Sequence, residues 1–134
     1  MKVYHRQRVA ALAWAVLFAW LSGCRSDGPA TYEVHGMVSW EGEPLPQGTV
    51  MFVPDEGPAA TAEIGTDGRY RLHAVAGRHQ VGILATRVGG PSKHGGDSPE
   101  LIPLLPEKYH RFHTSGVVVT VEPGQANTID LELP

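Results

Sequence analysis

The sequence predicts an all-β fold, and three observations carry that prediction. From Glu33 onward apolar residues alternate with polar ones, and β-branched and aromatic residues are frequent, which is typical of strands with one buried face. Gly, Pro, Asp and Asn interrupt the alternation at roughly every eight to twelve residues, which is the usual spacing of turns in such folds. No amphipathic helical pattern is found after the N-terminal segment.

The first predicted strand, residues 33–40, alternates so that Trp40 shares a face with the apolar residues of the strand. This parity favours a core position for Trp40 over an exposed platform that stacks a sugar. A second strand, residues 49–53, ends at Pro54, because proline lacks the backbone donor that a ladder needs. Residues 60–65 form a third and weaker strand.

The dipeptide Asp67-Gly68 predicts a hairpin turn, because both residues tolerate a positive φ and apolar alternation resumes at residues 70–72. A fifth strand follows at residues 77–86, and its parity directs His79 inward together with the apolar residues of that strand.

Two last strands, residues 116–121 and 127–133, flank a turn at residues 122–125. The total is seven short strands. A single sheet of that size leaves an apolar face in water, so we expect two sheets packed face to face, about 10 Å apart.

The N-terminal segment is typical of an export signal. Three basic residues precede an apolar run at residues 9–21, which is too short for a membrane span of roughly 20 residues. We expect residues 1–23 to form a helical signal peptide. The end of the run resembles a bacterial lipobox, made of Leu21, Ser22, Gly23 and Cys24.

This resemblance implies cleavage before Cys24 and acylation of its thiol with fatty acids such as palmitate. Cys24 is the single cysteine of the chain, and an exported protein with one unmodified thiol carries a reactive group. The alternatives are an ordinary secretory signal with an incidental cysteine, or a buried free cysteine. Residues 24–31 are expected to form a short tether and residues 32–134 the folded domain. Arg25 follows the cysteine, which favours the outer membrane, because an aspartate there resembles the inner-membrane retention signal.

The charge argues against a nucleic-acid partner. The chain carries a net charge of −3, and the part after residue 23 is more acidic still, because the leader holds basic residues and no acidic ones. Phosphate-binding surfaces are basic. We expect attachment to a membrane through the N-terminal lipid instead.

Several motifs of the domain resemble the carboxypeptidase regulatory-like, transthyretin-like β-sandwich. They are Gly36-Met37-Val38, Gly42-Glu43-Pro44-Leu45, Gly48-Thr49-Val50, Asp67-Gly68-Arg69-Tyr70 and Gly77-Arg78-His79-Gln80-Val81. Residues 102–109 and 114–127 resemble the late loop and last strands of small bacterial lipoproteins with this domain. The resemblance implies a seven-stranded Greek-key β-sandwich. One departure is His79, where the family pattern has an aromatic residue. A histidine can fill an inward position, but when it is buried its ring nitrogens need a hydrogen-bond partner.

Three histidines are weak candidates for a metal site: His94, His110 and His113. Zinc needs three or four ligands that converge at about 2 Å, and no second cysteine is present. Solvent-exposed loop histidines are the commoner interpretation, so no metal or other cofactor is expected. Two acidic pairs, Glu41 with Glu43 and Asp55 with Glu56, are weak candidates for glycosidase carboxylates. They lie in predicted turns, where acidic residues are common.

An enzyme is not expected. The serines lie in no nucleophile-elbow context, and Cys24 is unsuited to a Cys-His pair. The transthyretin-like hydroxyisourate hydrolase ends in a Tyr-Arg-Gly-Ser tail, whereas this chain ends in Leu131-Glu132-Leu133-Pro134.

The expected function is a non-catalytic, lipid-anchored module of the cell envelope, on the outer membrane facing the periplasm or on the cell surface. Its partner is an envelope protein or a polysaccharide. The alternative is a module that binds carbohydrate or metal through residues 88–115. Within that segment, residues 88–99 are glycine-rich and polar, and we expect them to be mobile. The apolar residues of 101–112 are expected to pack across an open end or edge of the sandwich.

Overall fold

The computed structural model of the protein describes residues 28–92, 95–96 and 98–134. The predicted signal helix and residues 24–27 of the predicted tether lie outside these residues. The described chain forms eleven strands: β1 (Thr31–Trp40), β2 (Glu43–Pro44), β3 (Gly48–Pro54), β4 (Ala60–Ile64), β5 (Arg69–Val75), β6 (Gly77–Leu84), β7 (Thr86–Pro91), β8 (Pro99–Pro103), β9 (Val117–Val121), β10 (Asn127–Thr128) and β11 (Leu131–Leu133). A 3-10 helix, Glu107–His110, and a four-residue helix α1, Phe112–Ser115, precede β9.

The strand β1 is the centre of the first sheet. On one side, β5 pairs with it antiparallel from Thr31 to Met37, and β2 pairs with its last residues. On the other side, β10 and β11 run parallel to it in turn. The strand β1 therefore has neighbours on both sides at Val34–His35 and at Ser39–Trp40.

The second sheet contains four antiparallel strands in the order β4-β3-β6-β9. Buried side chains from both sheets form one core. Its large members include Val34, Val38, Val50, Phe52, Ile64, Tyr70, Leu72, Val81, Ile83, Leu131 and Leu133. These residues come from alternate positions of their strands, which is what a sandwich with one buried face per sheet requires. The prediction of an all-β sandwich is confirmed.

The predicted parity of individual strands also agrees with the structure. Val34, Val38 and Val81 are fully buried. His79 is directed inward and fully buried, as its strand alternation requires. Trp40 is half-buried and packs against the core.

The number of strands differs from the seven predicted. The chain reverses through Glu41, which has a positive φ of 51°, and thereby adds the short strand β2. The predicted strand 127–133 is interrupted at Ile129 and Asp130, so it becomes β10 and β11. The strands β7 and β8 arise where a loop was predicted.

The turn between β9 and β10 is closed by the amide of Asn127, which is buried. Its Oδ1 accepts a hydrogen bond of 2.8 Å from the backbone N–H of Glu122. Its Nδ2 donates bonds of 3.1 Å to the carbonyl oxygens of Glu122 and Gln125. One side chain thus satisfies three backbone groups and fixes the point where β9 ends.

The strand directions define two ends of the sandwich. The strand β1 starts at Thr31, and β5 returns to Val75 opposite it. The strand β6 begins at Gly77, just after Val75, and runs the length of the second sheet to Leu84. We call the end with Thr31 and Gly77 the tether end. The other end, where Leu84 leads into β7, is the hairpin end.

None of the helices in the part of the chain that the structure describes is long and apolar enough to cross a lipid bilayer.

Candidate functional site

The strands β7 and β8 form a two-stranded antiparallel hairpin that emerges from the hairpin end. Val88 and Leu101 face each other across this hairpin, and they are 67% and 60% exposed. An isolated hairpin is marginally stable in water, and here its base is tied to the sandwich. Gln47 Nε2 donates a hydrogen bond to the carbonyl oxygen of Thr86. The backbone N–H of Leu104 donates a hydrogen bond of 2.8 Å to the carbonyl oxygen of Ala85.

This hairpin contains part of residues 88–99, the segment that composition predicts to be mobile. Residues 88–91 belong to β7 and pair with β8. The physical reason is that the β-branched Val88 finds an apolar partner in Leu101 at a directly opposed position, which stabilises the pairing. The exposure of Leu101 contradicts the expectation that this side chain packs against the sandwich.

Leu104, Leu105 and Tyr109 of the predicted packing segment contact the core, as expected. Leu105 and Tyr109 are buried in the core. The Tyr109 hydroxyl lies 3.5 Å from the carbonyl oxygen of Pro134. At Gly82, a Cβ would lie 3.0 Å from the backbone nitrogen of Phe112, so the glycine lets α1 lie directly on β6. The segment therefore covers the part of β6 that extends beyond its pairing with β9.

The seryl side chain at the end of α1 secures this packing. Ser115 is buried, and its hydroxyl donates 2.5 Å to the carbonyl oxygen of Val81. The Ser115 hydroxyl oxygen in turn accepts a hydrogen bond of 3.1 Å from the N–H of Val117. Ser115 therefore has a structural environment that links α1, β6 and β9.

The predicted lipidation residues, Leu21, Ser22, Gly23 and Cys24, lie outside the described residues, as does His94. His110 ends the 3-10 helix, half-buried, and its Nε2 has no hydrogen-bond partner among the described atoms. His113 is exposed in α1, where its ring meets the Phe112 ring edge-on at 5.2 Å. Among the described residues, no three His, Cys, Asp or Glu side chains are grouped so as to hold a metal ion. A convergence that includes His94 is not tested.

Three of the four candidate carboxylates, those of Glu41, Asp55 and Glu56, lie in turns or bends, and Glu43 lies in the short strand β2. Glu41 has the left-handed backbone of the β1–β2 turn. Asp55 follows β3, and its Oδ1 lies 3.4 Å from Arg78 Nη1. Each candidate pair, Glu41 with Glu43 and Asp55 with Glu56, therefore consists of near neighbours along the chain.

A groove with polar walls lies on the outer side of the first sheet and extends to residues 63–65, at the end of β4 in the second sheet. Its walls include His35 of β1, Arg69 and Arg71 of β5, and Thr128 and Asp130 on the far side. Cross-strand pairing brings them together, because His35 lies opposite both Arg71 and Thr128. Three adjacent strands thus contribute one row of polar side chains.

Glu33 lies next to two of the groove's side chains. Its Oε1 is 3.8 Å from Arg71 Nε, which is an ion pair rather than a hydrogen bond, and 3.5 Å from His35 Nδ1. His35 Nε2 lies 3.1 Å from the Thr128 hydroxyl. Exposed pairs of this kind contribute about 0–1 kcal/mol each. The groove therefore offers neighbouring donors and acceptors without a dominant charge.

At the bottom of the groove, the side chain of Tyr70 extends over Gly36, its partner on β1. Its hydroxyl donates a hydrogen bond of 2.6 Å to the carbonyl oxygen of Ile129. Burial raises the pKa of the Tyr70 phenol above its usual range, and the nearby Asp130 carboxylate adds to the rise. The phenol therefore stays protonated and serves as a fixed donor.

Sequence reasoning missed this groove. Arg69 and Arg71 were visible only as scattered basic residues. Strand parity places both on the outer face of β5, but it does not reveal that β5 pairs with β1 at the register that sets Arg71 opposite His35. That register is a long-range property, and no local turn specifies it.

Comparison with known proteins gives no family. No protein-family model matches the chain, and no curated protein sequence matches it. Among solved structures, the chain is similar to a DUF3823 family protein from Parabacteroides merdae, with 16% identity, a TM-score of 0.43 and 79% of this chain covered. A 9R-lipoxygenase from Cyanothece gives 13% identity, a TM-score of 0.43 and 78% coverage of this chain. The chain spans 46% of the first protein and 16% of the second.

Proposed function

We propose that this protein is a non-catalytic, lipid-anchored module of the bacterial cell envelope, held at the outer membrane through Cys24. Its partner is an envelope protein or a polysaccharide. The proposal rests on the leader and lipobox in the sequence, and on one structural observation. The tether joins the domain at one end of the sandwich, and the hairpin lies at the opposite end.

This separation supports an interaction role. A domain attached by Thr31 keeps its hairpin about one sandwich length away from the point of attachment. The exposed Val88–Leu101 pair is then available to a partner while the domain stays anchored. Exposed apolar side chains on a protruding element are typical of interaction surfaces.

We further infer that the domain is of the carboxypeptidase regulatory-like, transthyretin-like type. The positions of two motif residues support this. Gly36 and Tyr70 are paired across β1 and β5, and together they admit the Ile129 carbonyl into the sheet. The motif is thus explained by packing, and packing residues specify a fold rather than a reaction.

Fractionation of cells tests the anchor. We compare the full chain with a form whose residues 1–24 are replaced by an ordinary secretory signal peptide. We expect the full chain in the outer-membrane fraction, extracted only by detergent, and the second form in the soluble periplasm. Recovery of the full chain, with its leader removed, in the soluble fraction would contradict the proposal.

Site-specific photo-crosslinking in the living cell tests the interaction role. A photoreactive residue at Leu101 is expected to give a discrete adduct with an envelope component, whereas one at the exposed Thr61 of β4, on the second sheet, gives none. Equal labelling at both positions, or none at Leu101, would contradict a role for the hairpin.

A second candidate is ligand binding, and the groove around His35 favours it at a site other than residues 88–115. Its neighbouring donors and acceptors suit a ligand rich in hydroxyl groups, such as a carbohydrate. Titration calorimetry with envelope polysaccharide fragments tests this, because Arg71→Ala then weakens binding and Arg78→Ala, on the second sheet, does not.

A further inference from the structure

The strand β9 forms one edge of the second sheet. Among the described residues it pairs only with β6, so one side of its backbone has no ladder partner. Its sequence is Val117-Val118-Val119-Thr120-Val121. An exposed edge strand is a template for pairing with another chain, and native proteins usually protect it with charges or prolines. This strand carries neither.

The other described edge strands of three or more residues do carry such protection. The protecting residues are Glu63 in β4, Arg69, Arg71 and His73 in β5, Arg87 and Pro91 in β7, Pro99, Glu100 and Pro103 in β8, and Glu132 in β11. The absence of protection is thus specific to β9 within the described part of the molecule. It indicates that this edge is covered in the working protein.

The side chains of β9 agree with that interpretation. Val118 points away from the core and is 48% exposed. Val117 and Val119 point inward but are only half-buried, because no neighbouring strand covers them on the outer side. A further strand beside β9 would cover the open flank of all three side chains and reduce their contact with water.

We propose that the occupant of this edge is β9 of a second copy of this chain, paired antiparallel about a two-fold axis at Val119. In that register Val118 faces Thr120 of the second copy, and Val117 faces Val121. The two four-stranded sheets become one continuous sheet. A five-residue antiparallel pairing adds about four to six backbone hydrogen bonds.

Charge favours the second copy as the occupant. A strand paired with itself brings like residues together, so any charge on it would be repelled by its own copy. No such repulsion arises at β9. The charged neighbour across the ladder on the outer face is Arg78, which lies opposite Thr120 on β6 and whose Nη1 is 3.4 Å from Asp55 Oδ1. The same self-pairing of β5 or β11 sets like charges near one another.

The symmetry of the contact also limits the assembly to a dimer. An isologous contact uses the same surface on both copies and closes on itself. The pairing consumes both β9 edges, and the protected edges remain outside. The two tether ends then lie at opposite ends of the dimer, each beside the hairpin end of the other copy, so a dimer anchored by both tethers lies with its strands along the membrane surface.

Disulfide trapping tests the register in the exported full chain. Two differently tagged forms, Val118→Cys and Thr120→Cys, are produced together, because opposed residues of an antiparallel pair bring their Cα atoms to within about 5.5 Å. We expect a mixed dimer that carries both tags on a non-reducing gel. Each form produced alone, and the wild type with its Cys24, serve as controls for other pairings. Absence of the mixed dimer, or equal amounts of every pairing, overturns the proposed register.

Sedimentation equilibrium of the full chain in detergent tests the dimer itself. We expect Thr120→Lys to raise the dissociation constant of the dimer at least about tenfold, because it sets a charge on the paired edge. Thr61→Lys, on the exposed face of β4, is the matched control and is expected to leave the dimer intact. Both positions are exposed, so each variant is expected to keep the fold of the wild type, which its circular dichroism spectrum checks. A monomeric wild type, an open series of larger assemblies, or equal effects of the two lysines overturns the proposal.

Discussion

The hydroxyl of Tyr70 donates a hydrogen bond of 2.6 Å to the carbonyl oxygen of Ile129, and it does so across Gly36. A Cβ at Gly36 would lie 1.9 Å from that same oxygen. The carbonyl therefore occupies the space that a side chain of β1 would fill. It is held there by a phenol from β5, so three strands of the first sheet are joined at one point.

This contact predicts the effect of Tyr70→Phe. The ring still fills its place in the core beside Phe52, at 5.9 Å between centroids, but the Ile129 carbonyl loses its donor. We expect a loss of about 1–2 kcal/mol in the free energy of unfolding, measured by urea denaturation. Tyr32→Phe is the matched control and is expected to change little. An equal loss in both variants would contradict the contribution assigned to the Tyr70 hydrogen bond.

We predict that Gly36→Ala lowers the free energy of unfolding more than Tyr70→Phe does. Its Cβ meets backbone atoms, which are less able to move than a flexible side chain. We expect a cost at or above the upper end of the about 1–3 kcal/mol that overpacking usually brings. Gly90→Ala is the control, because nothing lies within 4 Å of its Cβ position. A Gly36→Ala protein as stable as Gly90→Ala would show that β10 and β11 are not held against β1 in this way.

The raised pKa of Tyr70 predicts a pH dependence of stability. The unfolded chain releases the phenolic proton near pH 10, whereas the folded chain retains it to higher pH because the phenol is buried. The folded state therefore binds more protons above that pH, so the free energy of unfolding falls as pH rises. This contribution is fully present below pH 10.

Denaturation at a series of pH values measures the effect. We expect the decline above about pH 10 to be less steep in Tyr70→Phe than in the wild type. Parallel curves for the two proteins would mean that Tyr70 ionises in the fold as readily as in the unfolded chain.

His79 stands where the family pattern has an aromatic residue, and its environment leads to another prediction. The ring is fully buried, packs 5.8 Å from Phe52, and places Nδ1 2.9 Å from the Gly77 carbonyl oxygen. Its Nε2 is buried without a partner among the described atoms. His79→Phe keeps the packing and removes this unsatisfied nitrogen, but it also removes the Nδ1 hydrogen bond, so we expect a change below about 1 kcal/mol.

The matched variant His79→Ala opens a cavity and is expected to cost about 2–4 kcal/mol. Thermal and urea unfolding of both variants provide the comparison. If phenylalanine is as costly as alanine, the hydrogen bond to Gly77 is the main contribution of His79, and packing is secondary.

Particular residues show what the sequence predicts about the fold and what it does not. Alternation places Val34, Val38 and His79 inward, because a strand with one buried face must repeat every two residues. The same alternation does not reveal that Ile129 and Asp130 interrupt a strand. That break depends on Gly36, which lies 93 residues earlier in the chain and is therefore a tertiary effect.

The candidate site was harder to predict for the same reason. Composition predicted a mobile segment at residues 88–99, but the Val88–Leu101 pairing makes part of it a hairpin. The groove around His35 requires the registers of β1 with both β5 and β10. A local pattern identifies faces of strands, whereas a site needs their mutual placement.

Intact-mass spectrometry of the purified exported protein tests most directly that this chain is a lipid-anchored envelope module. We predict a mature chain that begins at Cys24, lacks residues 1–23, and carries the mass of a diacylglyceryl group, with or without a third acyl chain such as palmitate. Fragmentation is expected to place this mass on Cys24. A mature chain with an unmodified Cys24, or one cleaved at another position, would contradict lipid anchoring.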